Sequence, residues 1–244
     1  MISTEAVEDR ASVSIHDSVS GRAGSEHAAT KTGGRFRRRL HSAGRAGAIL
    51  LAVAAMILLG RWHLDGRFTA KRWGVVVPGR VFRSGQISRF LVEDMLRDHE
   101  IAAVVDLQGL DPTDAHQRFE LAVGESLKID HHRFALSGSG TGDVRMYVNA
   151  VETIARCERE GKPVLVHCGA GANRTGGVVA VYRLLVRGES PASVMREMAA
   201  YRCAPQDNPK LIAYLNANMA YFAEELAARN VLARVPDEIP QLNP

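Results

Sequence analysis

The residues able to do chemistry in this chain are concentrated in one stretch, PVLVHCGAGANRTGG, Pro163 to Gly177. An apolar run ends at a His-Cys pair, His167 and Cys168. Four small residues and an asparagine follow, and Arg174 stands six positions beyond the cysteine. Residues as small as Gly169, Ala170, Gly171 and Ala172, followed by Asn173, let successive backbone N–H groups turn inward and cradle an anion. Arg174 adds a planar fork of donors that suits two phosphate oxygens. The same positive field acts on Cys168. A free thiol titrates near 8.5, and at a helix N-terminus beside cations it falls to roughly 3.5–7.5. One loop would therefore bind an oxyanion and ionise the nucleophile next to it, a combination suited to phosphate-ester chemistry.

Such a loop has to be held between a strand and a helix. Val164 to His167 predict the strand, and the stretch from Thr175 to Arg187, stopped by Gly188, predicts the helix. In open α/β sheets ligands bind outside the carboxyl ends of strands, where a loop turns into a helix. Upstream, VVVPGRVFRSG (Val75 to Gly85) predicts extended segments around a Pro-Gly turn. Ser88 is placed to cap a helix carrying Leu91, Val92, Met95, Leu96 and His99, and Ile101 to Leu107 reads as a buried parallel strand. A variable region with an extended segment near Leu127 to Phe134 leads into the loop ALSGSGTGD. Asp143 then opens a helix with Val144, Tyr147, Val148, Val151 and Ile154 on one face, and two more helices run from Pro191 to Arg202 and from Pro209 to Ala228. Alternating strands and helices predict an α/β fold with a central, mostly parallel sheet flanked by helices on both faces.

HCGAGANRTG resembles the Cys-x5-Arg-Ser/Thr signature of the cysteine-dependent protein tyrosine and dual-specificity phosphatases. With VFRSGQ upstream, the chain from about residue 74 to 228 looks like a bacterial branch of the dual-specificity type. The resemblance implies that Cys168 attacks phosphorus to form a cysteinyl phosphate, and that Arg174 binds the phosphoryl oxygens. It further implies that the backbone of Gly169 to Asn173 completes the phosphate cradle, Thr175 supports the departing sulfur and His167 holds the loop. No metal or cofactor is required by that chemistry, and the loop lacks the Lys-Ser/Thr ending of a nucleotide-binding loop. Family members usually take a general acid from an Asp some thirty residues before the cysteine. Here that neighbourhood reads FALSGSGTGD, so Asp143, ending a mobile loop able to close, is the candidate, with Asp130 behind it. Asp106 and Arg83, at strand ends, are expected to be structural.

The loop carries no lysine, so a densely anionic ligand would find no side-chain partners inside it. The expected substrate is a monophosphate ester: phosphotyrosine or phosphoserine on a protein, a small phosphomonoester, or a simple phospholipid headgroup. Two other classes stay open. One is a catalytically weak module that binds phosphorylated partners. The other is a rhodanese-type sulfur-transfer enzyme, which the Arg174-Thr175-Gly176 ending disfavours.

The rest of the 244 residues sets bounds. A hydrophobic fraction of 46% with 24% charged residues is that of a globular chain. Most of the net charge of +4 resides in residues 1–45 and the remainder is close to neutral, so the folded part offers little to nucleic acid. Cys157, Cys168 and Cys203 include no CxxC pair, which argues against a disulfide framework or a zinc ribbon. Residues 1–45 read as an unstructured basic arm. Ala46 to Gly60 carry no charge, and extended to Leu64 they predict a transmembrane anchor, with a cleaved signal peptide or a core helix as alternatives. The expected location is a bacterial inner membrane; cations more numerous before this span than after it favour a folded domain outside, while a nucleophilic cysteine's sensitivity to oxidation favours the other side, so the side stays open. Residues 229–244 read as a C-terminal tail.

Overall fold

A computed structural model describes residues 48, 50–57, 69–203 and 206–243. The chain divides into two compact units, Met1–Val53 and Ala54–Pro244. The sheet and its helices belong to the second.

Two short strands, β1 (Gly74–Val77) and β2 (Val81–Gly85), form an antiparallel hairpin. Gly79 takes φ +66° in its turn, a conformation open to glycine. Helix α1 (Val92–Asp98) follows, then β3 (Ala103–Asp106), α2 (Ala115–Leu127), β4 (Asp130–Arg133), α3 (Val144–Arg159) and β5 (Val164–Cys168). Helix α4 (Asn173–Val181) runs on into a π-helical turn over Tyr182–Val186, and α5 (Pro191–Ala200) and α6 (Pro209–Ala228) complete the unit. The strand order is β1-β2-β5-β3-β4, with β2, β5, β3 and β4 mutually parallel and β1 antiparallel at the edge. β5 therefore lies at the centre, and its register sets Gly85 beside Cys168 and Asp106 beside His167.

Alternation along these strands divides the core between two faces. Val105, Val164, Val166 and Cys168 join one cluster with α3, α4 and α6, including Tyr147, Val151, Leu215 and Phe222. Val104 and Leu165 join the other with Val92 and Leu96 of α1 and Val123 of α2. Each fully buried aliphatic or aromatic side chain contributes about 1.5–3 kcal/mol. Neighbours in the chain, His167 and Cys168, thus belong to opposite faces.

Three expectations are revised. Among the described residues no helix is long and apolar enough to cross a membrane. Of the expected anchor, Ala46 to Leu64, residues 48 and 50–57 are helical and exposed, and the others lie outside the described residues. The anchor, the membrane as a partner and the inner-membrane location are therefore withdrawn. The arm of residues 1–45 lies outside the described residues. The segment after α6 is not a loose tail: Leu242 is fully buried, and its backbone exchanges two hydrogen bonds of 2.8 Å with the Asn216 side chain. Finally, the region before Leu127 is helix α2, which the sequence pattern does not reveal.

Candidate active site

β5 ends on Cys168, and the chain turns through Gly169 to Ala172 before α4 begins at Asn173. Gly171 has φ +72°, and a Cβ there would stand 2.4 Å from Gly85 N, so conformation and space both require glycine. The loop's carbonyls are held from outside. Gly169 O accepts the Gln86 N–H at 3.2 Å, Ala170 O accepts from Arg72, and Gly171 O accepts from Arg83 at 3.1 Å. Because a trans peptide plane is rigid, a carbonyl fixed outward carries the next N–H inward. The amides of Ala170, Gly171 and Ala172 are thereby directed to the other side. There the Gly171 N–H donates to Cys168 Sγ at 3.2 Å.

Arg83 is fully buried, and it is secured by Glu197 at 2.9 Å and by the Tyr201 ring 3.9 Å from its guanidinium carbon. Arg174 is half-buried at the first turn of α4, with one guanidinium nitrogen 3.4 Å from Leu107 O.

Burial raises the Cys168 thiol. The Thr175 hydroxyl and amide, the Arg174 charge and the Gly171 amide outweigh it, so the thiol is held below its ordinary value. The Thr175 hydroxyl also lies 3.4 Å from Ser84 O, tying α4 to β2. On the other face His167 is wholly buried with Nε2 3.1 Å from Glu120 Oε1. The pair meets off the line of a hydrogen bond, as an ion pair. Burial opposes the imidazolium charge, yet Glu120, Asp106 and the Cys168 thiolate push its pKa up to about 9. In return His167 and His131 hold the Glu120 carboxyl well below the usual range despite its burial.

Glu120 also anchors a chain of side-chain amides. Its second oxygen accepts from Gln86 Nε2 at 2.9 Å, and Gln86 Oε1 accepts from Gln108 Nε2 at 2.6 Å. A Cβ on Gly169 would lie 2.9 Å from Gln108 Oε1, so this chain ends against the first residue of the loop.

Cys168, Gly169 to Asn173, Arg174 and Thr175 thus come together, with His167 behind them. The acid candidates are engaged in other contacts. Asp143 caps α3, accepting the Arg145 N–H at 2.9 Å, and its two oxygens are gripped by the Arg145 guanidinium at 2.6–3.1 Å. Those hydrogen bonds hold its carboxyl below the usual range. Asp130 starts β4 in register with Ala103 and Val164, four residues from the Cys168 end of parallel strands, roughly 13 Å away.

The loop before Asp143 is tied down rather than free to close. Asn173 Nδ2 donates to Gly138 O at 3.3 Å, Asn208 Nδ2 to Ser139 O at 2.6 Å and Tyr214 Oη to Gly142 O at 3.0 Å, while Tyr147 donates to Gly140 O. Gly140, at φ +90°, lies so close to Asn173 O that a Cβ would stand 3.0 Å from it.

Sequence reasoning missed Glu120, Gln86, Gln108 and Arg72. The buried face of α2 is Gln117, Glu120, Val123 and Gly124, so it has no apolar stripe to mark it. Its one legible signal is Asp114, whose side chain accepts from the His116 and Gln117 amides as N-cap.

The dual specificity phosphatase catalytic domain matches residues 85–219 of this chain. The dual specificity protein phosphatase OPG106 of Vaccinia virus is 37% identical over 51 residues, 20% of this chain and 30% of the viral protein. That match spans less than a third of the relative. Among solved structures, TpbA of P. aeruginosa in complex with pTyr superposes with a TM-score of 0.50 at 21% identity, covering 67% of this chain and 98% of that one. The core catalytic domain of the PP-IP phosphatase SIW14 from S. cerevisiae, in complex with citrate, gives 0.52 at 16% identity, covering 68% and 96%. At such identities the likeness is one of fold.

Proposed function

The chain belongs to the dual specificity phosphatase family and is a phosphatase of the tyrosine/dual-specificity class, and on that premise we propose that it hydrolyses phosphomonoesters through a cysteinyl phosphate on Cys168. The thiolate sulfur attacks phosphorus, the P–O bond to the substrate alcohol breaks, and the oxygen leaves with that bond's electron pair. Water then attacks the phosphocysteine, the S–P bond breaks, and inorganic phosphate departs from a regenerated thiolate. Arg174 binds two phosphoryl oxygens, and the inward amides from Ala170 onward meet the charge that develops on the others. Thr175 steadies the sulfur as it leaves, and His167 fixes the end of β5. The observation that carries this reading is the outward anchoring of three successive carbonyls by Gln86, Arg72 and Arg83, which turns the amides toward a sulfur whose thiol is held below its ordinary value.

With Asp143 engaged by Arg145, no carboxylate of this loop is free to protonate the leaving oxygen. The reading therefore favours esters whose alcohol departs as a weak base, phosphotyrosine ahead of phosphoserine. TpbA, which shares the fold, has been seen with phosphotyrosine.

The test is hydrolysis of p-nitrophenyl phosphate in EDTA, expected to be blocked by vanadate and absent in Cys168→Ser. Rates across aryl and alkyl phosphates should fall steeply as the alcohol becomes more basic. Turnover surviving in Cys168→Ser would sink the enzyme reading, and equal rates on aryl and alkyl esters would sink the substrate reading. Turnover of thiosulfate, or phosphopeptide binding without hydrolysis, would point to the rival classes.

A further inference from the structure

We propose that Asp106, Glu120, His131 and His167 form a zinc site behind the nucleophile, a feature independent of the phosphatase reading. The four residues come from four elements: the end of β3, helix α2, strand β4 and the end of β5. One ligand atom from each lies within 4.8 Å of all the others. Glu120 Oε1 is 3.1 Å from His167 Nε2 and 3.3 Å from His131 Nε2. Nitrogen and oxygen ligands bind zinc at 2.0–2.2 Å, so the corners of its tetrahedron stand about 3.4 Å apart. The two measured edges already match, and the remaining separations stay within 4.8 Å.

A second observation points the same way. Asp106 and His167 are fully buried; His167 Nδ1 has no hydrogen-bond partner, and His167 Nε2 and Asp106 Oδ2 meet Glu120 and Arg133 as ion pairs without a hydrogen bond. Buried polar atoms are nearly always hydrogen-bonded, and bound metal is one way to satisfy them. Electrostatics allow it. Two carboxylates balance a dication, and Arg133, 3.0 Å from Asp106 Oδ2, stays as the neighbouring cation. Two imidazoles with two carboxylates suit zinc better than calcium or magnesium, which take oxygen ligands.

The competing account is a closed ion-pair network, in which Glu120 neutralises an imidazolium and Arg133 neutralises Asp106. Zinc titration into the full-length Cys168→Ser chain, which removes the thiolate as a rival ligand, separates the two. Calorimetry should give one zinc ion per chain, cobalt(II) should show the visible bands of a four-coordinate centre, and zinc should raise the melting temperature. His131→Ala and Glu120→Gln, made in the same background, should each weaken binding at least tenfold and abolish the thermal shift. His131 is only partly buried, so its replacement keeps the test available if Glu120→Gln fails to fold. Absence of saturable zinc binding, or equal binding in both variants, would overturn the proposal and leave the ion-pair network.

Discussion

Charge at single residues decides what this site can do. In the proposed mechanism Arg174 contributes geometry as well as charge, because a planar fork can meet two phosphoryl oxygens where an ammonium offers a point. Arg174→Lys should therefore lower kcat/KM for p-nitrophenyl phosphate by roughly 100-fold or more, the scale of losing one preorganised oxyanion donor. Near-full activity would contradict bidentate binding. His167 makes a separate prediction about stability. Its pKa is about 9 in the folded protein, against an ordinary value of 6.5. The folded state thus holds an extra proton between those values, and the resulting stability is complete below pH 6.5 and lost as pH rises through 9. The amount is on the order of 3 kcal/mol. The Cys168 thiol titrates in the opposite sense, so the measurement is urea unfolding of Cys168→Ser in EDTA from pH 6 to 10. Glu120→Gln should flatten the slope, and a flat profile with Glu120 present would mean that His167 is not charged.

At the level of elements, the caps and tight turns settle roles that single residues left open. Asp143 is both the N-cap of α3 and, by its position upstream of Cys168, the acid candidate. The two roles predict different mutants. Asn caps a helix as well as Asp does, and Ala costs about 1 kcal/mol. As a cap, Asp143→Asn should keep stability and turnover of p-nitrophenyl phosphate, while Asp143→Ala should lower the melting temperature and leave kcat within about twofold. Loss of the basic limb of the pH–rate profile in Asp143→Asn would restore the acid role. Elements also explain what was legible beforehand. Pro209 to Ala228 and Val164 to His167 could be read because their buried positions are apolar and periodic. Helix α2 could not, since it buries glutamine, glutamate and glycine.

Across the whole molecule, the parallel arrangement of β2, β5 and β3 gathers Gly85, Cys168 and Asp106 at one end of the sheet. Residues far apart in sequence, such as Arg72, Arg83 and Gln86, can then hold the carbonyls of a single loop. The C-terminal segment takes part in the same packing, with Leu242 buried against the cluster that includes α6. Leu242→Ala should cost about 2–5 kcal/mol, the range for a truncated core leucine, read by thermal or urea unfolding. A change under about 0.5 kcal/mol would show that Leu242 contributes nothing to the core.

The sequence by itself determined the alternation of strand and helix and singled out Cys168 and the loop after it as candidate nucleophile and phosphate cradle, because those depend on local size, spacing and apolar period. Only the tertiary structure decided the rest. Long-range contacts carry no local pattern, so the hydrogen bonds that turn the amides inward and the Glu120–His167 pair could not be read along the chain. The pairing of Asp143 with Arg145 is local, yet sequence left cap and acid equally open. Geometry favours the cap, because a carboxylate gripped by a guanidinium loses affinity for a proton.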